Sequence, residues 1–312
     1  MKIVFMGTPD IAAGVLETLI ASEHDIAAVV TQPDKPNSRG NAIIFSPVKD
    51  VALKAGIRVL QPVKASSDEF ALTLKEINPD IIVVVAFGQI LRKNVLELAK
   101  YGCINVHASL LPKYRGASPI QWAVINGEKE TGITIMQMDP GIDTGDIILQ
   151  EKLELREDET AGSLFDRLTE MAGPVLLKAL KQINDGTAVR TPQDENGATY
   201  VSMLKKSMGR INFNHKAEEL ERLIRGLVPW PGAYTFVDGK MLKIWKAVVA
   251  SECDKVEALP GQIRIVDNAF FIGTLDRPLE ILELQNEGKK RLPAYDFLRG
   301  TSIEDGMMTD NI

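Results

Sequence analysis

The chain opens with an apolar run, Lys2–Gly7, that stops at Thr8-Pro9, and helical spacing follows over Pro9–Ala21 through Ile11, Val15, Leu16, Leu19 and Ile20. The alternation then recurs. Asp25–Thr31 reads as a buried strand, and Ser46–Ala55 as a helix with a serine cap and proline in its first turn. Arg58–Gln61 reads as a short strand and Ser67–Ile77 as a helix. Asp80–Phe87 is the most continuous β-branched run, and Gly102–Ala108 and Ile133–Met138 add two further strands. Apolar runs of this length between helices predict an α/β fold with a Rossmann-like, mostly parallel sheet covered on both faces. Ligands of such sheets bind at the carboxyl ends of the strands.

A long helix is predicted from a Thr160 cap to about Ile183, its stripe carried by Leu164, Leu168, Val175 and Leu176, with Pro174 expected to kink or interrupt it. Turns and polar residues from Asn184 to Gly209 read as a linker. His215–Gly226 is a predicted helix, followed by short strands at Ala233–Val237, Met241–Ala250, Gly261–Val266, Phe270–Gly273 and Leu279–Gln285. That texture predicts a small C-terminal β-barrel. Residues after Gly300 show no pattern and are expected to be loose. The expected organisation is a catalytic domain over 1–189, a linker over 190–208 and a barrel domain over 209–312.

Composition narrows the class. With 45% hydrophobic and 25% charged residues, the 312-residue chain has an ordinary globular mix. No window approaches the ~18 consecutive apolar residues of a membrane span. The opening apolar run is too short for a signal peptide, so a cytoplasmic, monomeric protein without a membrane partner is expected. Cys103 and Cys253 have no paired cysteine motif and read as reduced, buried thiols. His24, His107 and His215 are scattered, so no metal is expected. Residues 1–204 hold 20 basic and 26 acidic side chains, whereas 205–312 hold 16 of each. The last third can therefore present a basic face.

The chemistry concentrates in Gly102–Ile120, GCINVHASLLPKYRGASPI. Strand residues two apart share a face, so Asn105 and His107 project together. An amide that can bind a developing oxyanion, beside an imidazole that can donate a second bond or carry a proton, suits acyl transfer. Asp143, in the loop MDPGIDTGDI, is the candidate carboxylate to complete the site, although Asp139 and Asp146 are also available. Gly7-Thr8-Pro9 lacks the glycine pattern of a dinucleotide-dependent oxidoreductase.

The strings NVHASLLPKYRGASPI and DPGIDTGDI closely resemble the folate-dependent formyltransferase family. GTPDIAA, TQPDKPNSRG with PVK behind it, and VVAFGQIL resemble the branch that acts on methionyl-tRNA, and GLVPWPGAYTF and EGKKRLPAYDFLRG resemble that branch's C-terminal barrel. The resemblance spans essentially residues 1–300. It implies a formyltransferase domain followed by an OB-like barrel, with Asn105, His107 and Asp143 as catalytic residues. It also implies 10-formyltetrahydrofolate as co-substrate and methionyl initiator tRNA as acceptor, in support of translation initiation. A freestanding formyltransferase for an amino sugar nucleotide is the alternative.

For the folate's flat pterin, an apolar slot is expected at Phe87, Gly88, Gln89, Ile90 and Leu91. Ser109, Leu110, Leu111 and Pro112 are implied as further folate contacts, with Leu111-Pro112 considered for a cis bond. Arg39 is the expected tRNA contact in a loop, Gly40–Phe45, less basic than in the branch. Lys205, Lys206, Lys243, Lys246, Lys289, Lys290 and Arg291 are candidate phosphate contacts. Trp230 and Trp245 are expected in the barrel's turn and core.

Overall fold

A computed structural model describes residues 1–36, 43–251 and 256–310. Arg39 and Cys253 lie outside these described residues. The chain forms two compact units. The first holds Met1–Pro119, Glu130–Glu154 and Phe165–Val201; the second holds Ile120–Lys129, Leu155–Leu164 and the chain from Ser202 onward.

The first unit is built on β1 (Lys2–Gly7), β2 (Asp25–Val30), β3 (Val59–Leu60), β4 (Ile81–Val85), β5 (Cys103–His107), β6 (Glu130–Gln137) and β7 (Ile147–Glu154). Their order in the sheet is β7-β6-β5-β4-β1-β2-β3. The five strands from β5 to β3 pair in parallel, whereas β6 runs antiparallel to both β5 and β7. The chain reverses its direction of growth between β1 and β4, the topological switch point of such sheets.

Alternation along the strands fills both faces. Val4, Met6, Ile82, Val84 and Cys103 pack on one face with Phe70 and Leu74 of helix α3 (Asp68–Ile77) and with Val95 and Leu96 of α4 (Lys93–Leu96). The Cys103 thiol, buried there, is pushed up to about 12 by desolvation. Serine caps begin α2 (Pro47–Lys54) and α3: Ser46 Oγ accepts from Lys49 N, and Ser67 Oγ from Phe70 N. Helix α1 (Asp10–Ile20) packs against a late helix through close contact, because a Cβ on Gly173 would sit 2.3 Å from Thr18 Oγ1.

Three elements differ from the sequence reading. The late helix, α6, runs unbroken over Ala161–Asn184 with Pro174 inside it. Proline removes only one donor from a ladder of 24 residues, and the apolar stripe continues on both sides. Strand β7 was not expected, because only Ile148 of its eight residues is fully buried and its sequence, IILQEKLE, alternates only weakly. The short helix α5 (Pro119–Ile125) likewise has too few turns to show a period.

In the second unit, α7 (Ala217–Gly226) lies on an antiparallel sheet of β8 (Ala233–Val237), β9 (Lys240–Val249), β10 (Ile263–Val266), β11 (Ala269–Ile272) and β12 (Leu279–Asn286). The order is β8-β9-β12-β11-β10, and Phe213, Leu220, Ile224, Phe270 and Phe297 meet in its core. The segment after Gly300 is not loose. Ile263 N donates to Met307 O at 2.7 Å, Thr309 N to Gly261 O at 2.8 Å and Asp310 N to Phe236 O at 2.8 Å. These backbone bonds join both sheet edges, β8 and β10, and they need no hydrophobic period to form.

Candidate active site

Asn105 and His107 leave the same face of β5, next to the switch point, and the loop between β6 and β7 brings Asp143 to them. Asn105 Nδ2 donates to Asp143 Oδ1 at 3.4 Å, and His107 Nδ1 lies 3.7 Å from Asp143 Oδ2. The three side chains converge. His107 is buried, whereas Asn105 and Asp143 keep partial access to solvent.

His107 Nε2 lies 2.9 Å from Tyr114 O. A carbonyl only accepts, so Nε2 carries the hydrogen and Nδ1 is the ring atom facing Asp143. Asp143 has φ +54°, a left-handed conformation that aspartate tolerates better than most residues, and its Oδ2 accepts from Gly116 N at 2.8 Å. The other carboxylates have different roles or surroundings. Asp139 closes the loop on itself, accepting from Gly141 N and from Thr144 Oγ1. Asp146 sits at the loop's far end, where its carbonyl accepts from Gln137 N. Gly145 is required by space: a Cβ there would lie 1.7 Å from Gln137 O.

The nine expected folate residues divide by access. Ile90 is 80% exposed, Gly88 is exposed with φ +82°, and Leu110 and Pro112 are half-buried. Phe87, Leu91 and Leu111 are buried. Ser109 is buried with its hydroxyl donated to Lys113 O at 2.7 Å. Gln89 is tied inward, accepting from Ala65 N at 2.7 Å and donating to Pro62 O at 3.2 Å. Accessible apolar surface therefore lies at the exits of two adjacent strands, β4 and β5, which is chemistry a flat heterocycle requires. The Leu111-Pro112 bond is cis. A cavity of about 390 Å³ opens beside the start of the loop that carries Asp143, lined by Leu96, Met138, Pro140, Lys93, Lys100 and Arg190 among others, and none of the nine lines it. Among the described residues, no group of three or more His, Cys, Asp or Glu side chains is placed to hold a metal ion.

The residues expected at phosphates are all exposed except Lys243, which is half-buried. Trp245 corrects the expectation of a core tryptophan. Its ring is flanked by Lys243 Nζ at 5.8 Å and the Arg291 guanidinium at 5.1 Å, and its indole N–H donates to Gln285. Arg291 also pairs with Glu283. Trp230 is half exposed in a proline turn.

The sequence matches the Formyl transferase family over residues 1–180 and the Formyl transferase, C-terminal domain family over 203–302. The chain belongs to the formyl transferase family. Among curated formyl transferases, a "Methionyl-tRNA formyltransferase" of Lachnospira eligens is 54% identical over 99% of each chain. One of Geobacter metallireducens is 48% identical over 98% of each. Solved structures share the fold at lower identity. The N-formyltransferase from Helicobacter canadensis, with folinic acid and dTDP-3-aminofucose, has a TM-score of 0.68 at 22% identity, covering 92% of this chain and 99% of that one. HypX from Aquifex aeolicus with tetrahydrofolic acid has a TM-score of 0.64 at 18% identity, covering 100% of this chain and 51% of that one.

Sequence reasoning missed the residues that support the trio. Arg115, inside the motif, has no exposed surface and donates to Gln193, Glu195 and Tyr200. These partners lie between 190 and 201, within the stretch expected as linker. That segment belongs to the first unit, and Tyr200–Val201 pairs in parallel with Arg115–Gly116. The only sequence signal was a pair of polar side chains, Gln193 and Glu195, in a turn-rich stretch, which carries no period.

Proposed function

We propose that this protein transfers the formyl group of 10-formyltetrahydrofolate to the α-amino group of methionyl initiator tRNA, supplying formylated initiator to translation. The observation that carries this reading is the convergence of Asn105, His107 and Asp143 in a chain similar over its whole length to enzymes of that name. The first unit is the catalytic domain in this reading, and the barrel unit binds tRNA.

The neutral amine of the methionyl ester attacks the formyl carbon, and a new C–N bond forms as the carbonyl oxygen takes the negative charge. Asn105 Nδ2 is the fixed donor for that oxyanion. Asp143 removes the proton that the attacking nitrogen sheds, directly or through a water. His107 takes up or returns a proton at Nδ1, because Nε2–H is held on Tyr114 O. The bond from the formyl carbon to N10 then breaks, and N10 gains a proton, so that none is consumed overall. Ile90, Leu110 and Pro112 contact the folate ring system, while Gly88 admits it closely. Phe87, Gln89, Leu91, Ser109 and Leu111 shape those two strand exits from behind. Lys205, Lys206, Lys243, Lys246, Lys289, Lys290 and Arg291 meet phosphates, as does Arg39.

The test offers the purified protein 10-formyltetrahydrofolate with charged initiator tRNA, and in parallel with an amino sugar nucleotide. Formylmethionyl-tRNA is the expected product, and formylation of the sugar alone overturns the reading. His107→Ala and Asp143→Ala are expected to fold normally and to lose roughly 10²–10³ in turnover.

A further inference from the structure

We propose that Gln193 is the positioning residue for the reacting carboxylate, holding the Asp143 loop by its backbone from a segment fifty residues further along the chain. The inference rests on the assignment of Asp143 above.

Gln193 Nε2 donates to Asp143 O at 2.8 Å and to Gly145 O at 2.7 Å, while its Oε1 accepts from Arg115 Nε at 3.0 Å. The amide's orientation follows from its partners. Carbonyls only accept and a guanidinium only donates, so the nitrogen must face the loop and the oxygen must face Arg115. Both amide hydrogens thus fix the backbone on either side of Thr144.

That backbone decides where the carboxylate points. Asp143 holds a left-handed φ of +54°, and its Oδ2 reaches Gly116 N only while the loop keeps this shape. Gln137 O occupies the space that a Cβ on Gly145 would need, so this part of the loop packs closely against the end of β6. Arg115 in turn anchors Gln193, and is itself held by both carboxylate oxygens of Glu195, at 3.0 and 2.8 Å, and by the Tyr200 hydroxyl at 2.9 Å. The same segment steadies the imidazole. Thr199 Oγ1 accepts from Tyr114 N at 2.8 Å, and Arg115 N donates to Thr199 O at 2.8 Å, which fixes the stretch whose Tyr114 carbonyl receives His107. Two of the three reacting groups are therefore oriented from residues 193–200.

A residue that only supports folding would change the amount of native protein. A positioning residue changes turnover per native molecule, because small displacements of a catalytic group are costly. Gln193→Leu removes both donated bonds. Gln193→Glu keeps an acceptor for Arg115 but has no hydrogen to donate to the two carbonyls, so it retains the Arg115 contact while losing the same support.

The test measures steady-state formylation of charged initiator tRNA by the full chain carrying Gln193→Leu, Gln193→Glu, Asp143→Asn, and Asp143→Asn combined with Gln193→Leu. Each rate is normalised to folded protein from its unfolding curve. Both Gln193 variants are expected to lose about 10- to 100-fold in kcat while KM for tRNA and folate stays within about twofold. In the Asp143→Asn background, Gln193→Leu is expected to change the rate by less than about twofold, since its effect runs through the missing carboxylate. Wild-type kcat in the Gln193 variants, or an undiminished effect without Asp143, overturns the proposal and leaves the Asp143 assignment standing. Wild-type kcat in Asp143→Asn alone overturns that assignment. Should Gln193→Leu fail to fold, Gln193→Glu decides by its kcat.

Discussion

A guanidinium without exposed surface persists only when its hydrogens find acceptors, and Arg115 makes four donated bonds to Gln193, Glu195 and Tyr200. The Arg115 guanidinium beside Glu195 holds that carboxyl below the usual carboxylate range. A depressed carboxyl contributes stability that is complete above its unfolded pKa and is lost as pH falls through the folded one. Arg115→Met is therefore expected to lower the melting midpoint at neutral pH by roughly 5 °C. The gap from wild type should be smaller at an acid pH below the lowered Glu195 pKa, where that carboxyl is protonated in both proteins. Melting curves at the two pH values check this. At this scale the sequence showed the proposed reacting groups better than their supports. Asn105 and His107 declare themselves by sharing a strand face, whereas Gln193 acts on backbone carbonyls about fifty residues away, which no local pattern encodes.

Elements were legible in proportion to how fully they are buried. Strands β1 and β4, apolar on both faces, stand out in the sequence. Strand β7 hides because one side meets solvent, and the C-terminal segment hides because its main chain does the bonding. Asp305 adds to that closure: it accepts from Ile265 N at 2.8 Å, and the Arg264 side chain beside it joins Ile265 N in holding its carboxyl below the usual range. Deleting residues 305–312 removes the acceptors of two β10 amides, Ile263 and Ile265. Their hydrogen exchange is expected to quicken by at least about tenfold, while amides of the inner pairing between β9 and β12 keep their protection. Exchange followed amide by amide reads the outcome.

The molecule as a whole carries net charge −6, an unfavourable balance for a nucleic-acid partner, and its basic side chains must therefore act locally. Lys289 and Lys290 stand exposed beside Arg291, whose guanidinium lies over the Trp245 ring. Binding of charged initiator tRNA is expected to weaken steeply with salt, and replacing Lys289 and Lys290 together by alanine should reduce the log–log slope by about 1–2. Titrations at several salt concentrations give that slope. The arm formed by residues 190–201 has a practical consequence for anyone trimming the enzyme. The N-terminal family match ends at residue 180, an inviting place to cut. A fragment stopped there would still carry Asn105, His107 and Asp143, yet it would lack Gln193 behind the Asp143 loop, so the scissors belong beyond Val201.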